Sequence, residues 1–124
     1  MKVLYLHLAL LSLLLSSPAR GQEVEYGTGL ICDTRQQAEQ LVAHLNGDVA
    51  AAVSAVNTEE HDPKACGVAT VAFVRGPELA TARSKDATFR IVRILVVGLR
   101  TASGFEPVTP AVYVSLFKIE EYAV

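Results

Sequence analysis

Apolar positions recur with two different periods along this chain, and the change from one to the other falls near Gly67. Before it, Ala38, Leu41, Val42 and Leu45 stand at i, i+3, i+4 and i+7, which predicts a helix with one buried face. Thr34 with Gln37 three residues on has the form of a capping box, each side chain satisfying an orphan backbone donor. Asn46-Gly47 fits the stop. Asp48 can cap a second helix in which Val49, Ala52, Val53 and Val56 share one side, and Pro63 forbids its continuation. After Gly67 the segments 68–75, 88–97 and 111–119 are rich in β-branched and aromatic residues. They are bounded by Gly76-Pro77, Gly98, Ser103-Gly104, Pro107 and Pro110, so each predicts a strand. A shorter apolar run, 28–32, predicts a first strand ahead of the helices.

The predicted fold class is α+β, in the order β-α-α-β-β-β, with an antiparallel four-stranded sheet and a helical layer. The strands are apolar on both sides: in 88–97, Phe89, Ile91, Leu95 and Val97 lie on one, Val92, Ile94 and Val96 on the other. A sheet with one wet face would alternate more cleanly. Helices cover one side, so the other must be covered by curling into a barrel, by a long loop or by another subunit. A curled sheet wrapping a helix, as in cystatin-like folds, fits this order. A small SH3-like barrel with a helical insertion fits it too. These are analogies of architecture and carry no function. The connections 76–87 and 98–110 read as loops of about 12 residues, longer than tight hairpins.

Residues 1–21 change the setting. Lys2 leads into an apolar run over 3–15, then Ser16-Ser17-Pro18 and small residues, the order of a secretory signal peptide. The run is shorter than the roughly 20 residues a membrane-spanning helix needs. Ala19 and Gly21 suit a cut before Gln22, with a cut after Ala19 as the alternative. The expectation is an exported chain, periplasmic or secreted, with no stable membrane span after cleavage and one small domain over 22–124. Cys32 and Cys66 are the only cysteines, so outside the reducing cytosol they are expected to pair with each other. Closing that loop stabilises a chain by about 4 kcal/mol on the chain-entropy model.

Charge narrows the partners. The full chain carries −2, and removing Lys2 and Arg20 makes it more acidic, which argues against nucleic acid. Acids dominate 22–66 and bases dominate 67–124. Arg90, Arg93 and Arg100 belong to the basic stretch. Arg93 falls among Phe89, Ile91 and Leu95 on an otherwise apolar side. There it pairs with Glu120 or Glu121, follows a bulge, or forms part of a patch for a small anionic ligand or an acidic partner.

Glu59, Glu60, His61 and Asp62 form the densest group of acid/base and metal-ligating types. No second imidazole stands at helical spacing, and such proline-ended acidic loops are commonly solvated. There is no G-x-S-x-G elbow, phosphate loop, dinucleotide fingerprint, zinc-type cysteine spacing or EF-hand. No catalytic residue, cofactor or metal is therefore assigned. The leading expectation is a small exported, disulfide-stapled, non-enzymatic protein that binds an unknown protein or ligand, an inhibitor or modulator being within that class. Its recognition elements would be 76–87, 98–110, the basic stretch or an open strand edge. The alternatives are a small extracytoplasmic hydrolase or metal enzyme using residues 59–62, and a self-associating structural protein formed as a homo-oligomer.

Overall fold

The change of period near Gly67 becomes a change from helix to sheet. The computed structural model describes residues 23–120, so the signal-peptide segment and Glu121 lie outside the described residues. The elements are β1 (Val24–Cys32), α1 (Arg35–His44), α2 (Val49–Glu59), β2 (Cys66–Arg83), β3 (Thr88–Thr101) and β4 (Gly104–Lys118). The predicted caps are in place. Thr34 accepts from the Gln37 N–H while the Gln37 side chain accepts from the Thr34 N–H, and Asp48 accepts from the Ala51 N–H. Fold class and element order are as expected.

All neighbouring strands are antiparallel, and the sheet curls until its ends meet. β1 pairs with β2, β2 with β3 and β3 with β4. β4 returns to β1 through only two residue pairs, Ile31↔Ser115 and Cys32↔Val114. The Ser115 hydroxyl reinforces this short seam by donating to the Leu30 carbonyl at 3.0 Å. Curling answers the two-sided apolarity of the strands. Val71, Phe73, Val92, Ile94 and Val96 turn inward and form one core inside the ring. Ile91, Val114, Leu116 and Cys32 turn outward at the seam and form a second core beneath Ala38, Leu41 and Val42 of α1 and Ala52 and Val56 of α2. The helical pair thus covers the outside of the ring where it closes.

Cys32 and Cys66 stand opposite one another as the last residue of β1 and the first of β2, and they are disulfide-bonded with Cα atoms 4.1 Å apart. Both are buried. The bridge ties the two ends of the helical segment together beside the seam.

The segments 76–87 and 98–110 differ from the loops expected of them. They extend the strands, and the true connections are the short turns around 84–87 and at Ala102-Ser103. Ser103-Gly104 does mark a turn, but Gly76-Pro77 and Pro110, also read as terminators, sit in irregularities of register. Gly76 and Pro77 together face the single residue Arg93, a bulge that leaves the donor-less Pro77 outside the ladder. A Cβ at Gly76 would come within 2.8 Å of the Arg93 carbonyl oxygen, so the close approach requires glycine. In β4, residues 108–110 fall between the pairs Val96↔Ala111 and Gly98↔Pro107, which takes Pro110 out of register.

Candidate functional site

The curled sheet has two unlike ends. At one, Phe73 and Phe117 fill the interior with ring centroids 6.1 Å apart, and the Arg75 guanidinium lies 4.0 Å over the Phe117 ring. Glu25 holds that guanidinium through two hydrogen bonds of 3.0 Å, and the arginine keeps the Glu25 carboxyl below its ordinary pKa. This end is stoppered.

The other end is open. The inward positions there are smaller: Ala69 and Val71 on β2, Val96 and Leu99 on β3, Ala111 and Tyr113 on β4. With Ile31 of β1 they bound an apolar cavity of about 480 Å³, within the size range of small-molecule sites. The displaced stretch of β4 places Val108 and Thr109 on one side of its rim. Asp33, Pro63 and Lys64 occupy the other. The opening therefore follows from small side chains at one end of the ring and from the irregularity that swings β4 aside.

Two polar side chains with formal charge line this mouth, Asp33 and Lys64. The Asp33 backbone is fixed, because its N–H donates to the Ala65 carbonyl and to Gln37 Oε1. Desolvation raises the Asp33 carboxyl above its ordinary pKa, and the nearby Asp62 carboxylate raises it further. Sequence reasoning missed this residue. The signal for it was only its position, between the last residue of a strand and a helix cap.

Of the candidate binding residues singled out by sequence, Asp62 comes near this mouth through its effect on Asp33, and the arginines fall elsewhere. Arg90 is exposed and lies 3.8 Å from Glu78. Arg93 and Arg100 are exposed too, and the seven residue steps from one to the other span about 23 Å of extended strand. The three arginines do not converge. Arg93 lies beyond the cover of the helices, next to the similarly uncovered Leu95, and forms no ion pair among the described residues.

Each member of the 59–62 group except Glu60 has an identifiable local role. Glu59 Oε1 lies 2.6 Å from His44 Nε2. His61 ends α2: its φ is 53°, its N–H donates to the Thr58 carbonyl, and the Asp62 N–H donates to the Asn57 carbonyl. That bond pattern is a Schellman stop, with histidine where glycine is usual. Asp62 Oδ1 accepts from the Lys64 N–H. Among the described residues no group of three or more His, Cys, Asp or Glu is placed to hold a metal ion, and none of their helices is long and apolar enough to cross a membrane.

A second feature of the outer surface is a row of apolar side chains across all four strands. Val24 pairs with Val74, Val74 with Leu95, and Leu95 with Val112. Val24 is 45 % exposed and Val112 58 %. Beside the row, Tyr26 and Phe105 meet edge to face at 5.0 Å. No family model, curated protein or solved structure matches this chain.

Proposed function

We propose that the protein is exported and acts as a non-enzymatic binding protein, holding a small apolar ligand in the open mouth of the ring. The observation that carries this reading is the cavity of about 480 Å³ walled by Ala69, Val71, Val96 and Leu99. The ring interior would otherwise be filled, as it is by Phe73 and Phe117 at the stoppered end. Burial of a ligand against such walls is worth roughly 25 cal/mol for each Å² of apolar surface removed from water. A disulfide beside the site suits a chain that works outside the cytosol, and residues 1–21 read as the signal that takes it there.

Two measurements test the reading. The mass of the natural product should correspond to a chain starting at Gln22, or at Arg20 for the alternative cut, with no free thiol. An intact Met1 terminus with two titratable thiols contradicts export. The neutral dye N-phenyl-1-naphthylamine should bind the oxidised mature chain with increased emission, and Ala69→Phe, which fills the mouth, should abolish it. Dye binding that survives Ala69→Phe in a folded variant removes the cavity as the site.

The cross-strand row of Val24, Val74, Leu95 and Val112 favours a second reading, self-association through the outer sheet face. Sedimentation at rising concentration distinguishes it. A monomer throughout excludes it, and a dimer lost in Leu95→Lys supports it.

A further inference from the structure

We infer that the ring mouth selects an amphipathic amine, its apolar body between Val71, Val96 and Leu99 and its ammonium on the Asp33 carboxylate; this rests on the binding role proposed above. Asp33 carries a short side chain on a backbone pinned from two directions, by Ala65 and by Gln37. That backbone holds the residue at the rim of the mouth, where its side chain is exposed to whatever enters. Among the described residues the carboxylate oxygens accept no hydrogen bond and form no ion pair. Desolvation and, after it, the Asp62 carboxylate both disfavour a negative charge on Asp33 in the empty mouth. An ammonium arriving with its tail in the cavity would compensate that charge through a charge-assisted hydrogen bond.

Lys64 is the other charged residue on this rim. Its N–H is taken by Asp62 Oδ1, and its ammonium forms no ion pair with Asp33. Asp62 lies outside the lining but adds its negative charge to that of Asp33, against the single cation Lys64 among the described residues of the rim. The arginines of the basic stretch do not reach this mouth. The charge at the opening thus favours a cationic head over an anionic one, and the apolar walls demand a hydrocarbon body.

The test is displacement of N-phenyl-1-naphthylamine from the oxidised mature chain at neutral pH by octylamine, octanol and octanoate. These share a tail and differ in head charge. Octylamine is expected to displace the dye at a concentration about tenfold below octanol, with octanoate weakest. Asp33→Asn should bring octylamine to the level of octanol. In the unaltered chain, added salt should narrow the amine preference, which keeps the test open if the variant does not fold. Equal displacement by octylamine and octanol overturns the inference and leaves the apolar site standing. Octanoate binding tightest overturns it in favour of Lys64. Failure of the dye and of all three probes overturns the binding role itself.

Discussion

The side-chain amide of Asn57 pairs with the backbone of Cys66 as a neighbouring strand would. The Cys66 N–H donates to Asn57 Oδ1 at 2.8 Å, and Asn57 Nδ2 donates to the Cys66 carbonyl at 3.1 Å. The same Nδ2 donates to the Pro63 carbonyl at 3.0 Å. One side chain on α2 therefore holds the start of β2, the disulfide and the segment that carries Lys64. Replacing Asn57 with Ala leaves a part-buried N–H without its acceptor, and the expected loss is about 2 kcal/mol. Asn57→Asp keeps the acceptor but sets a carboxylate against two carbonyls, so it should destabilise at pH 7 and less at pH 3. Denaturant unfolding at the two pH values measures both.

Breaking the Cys32–Cys66 bridge releases a loop whose ends are 34 residues apart in sequence. The double substitution to Ala should lower stability by about 4 kcal/mol on the chain-entropy model. Because both sulfurs are buried, a mild reductant should act on the folded chain slowly and at a rate that rises with denaturant. A rate independent of denaturant would show that the bridge opens without unfolding.

His61 closes α2 in the left-handed region, where an ordinary L side chain costs about 1 kcal/mol and glycine nothing comparable. His61→Gly should leave thermal stability unchanged or raise it. His61→Val should lower it by more than about 1 kcal/mol, since a β-branched residue suits that conformation worst. If histidine also served as a ligand or base, both substitutions would abolish an activity whatever their effect on stability.

Asp33 and Glu25 should tilt the pH dependence of stability in opposite senses. The raised Asp33 pKa means that its stabilising contribution is present below the ordinary carboxylate pKa and lost as pH rises through the raised value. The lowered Glu25 pKa means that its contribution is present above the ordinary value and lost as pH falls through the lowered one. Both carboxylates are substantially exposed, so each effect should stay below about 1 kcal/mol after screening. Melting temperatures from pH 3 to pH 7 should show Asp33→Asn gaining stability toward neutral pH and Glu25→Gln losing it there.

The helices and the bridge were legible because their signals are local or unique. Thr34 and Gln37 declare a cap within four residues, and two cysteines allow one pairing. The length of the strands was not legible. Gly76-Pro77 and Pro107 look like terminators in sequence, yet a bulge facing Arg93 absorbs the first pair and a break in the β3–β4 ladder adjoins the other. The two-sided apolarity of residues 88–97 did point to curling, and the two cores on either side of β3 are its outcome. The mouth was hidden for another reason. It depends on Ile31 meeting Ser115 across 84 positions of chain, and on small residues whose smallness at Ala69 and Ala111 has no meaning until the ring closes.

The most direct measurement is a methyl-resolved NMR titration of the oxidised mature chain with octanol, a probe without charge. Shifts should concentrate at Ala69, Val71, Val96, Leu99 and Ala111, with Val92 beyond them little changed. Shifts at Val24, Leu95 and Val112 with none at the mouth would contradict binding in the cavity, and would move the binding surface to the outside of the sheet.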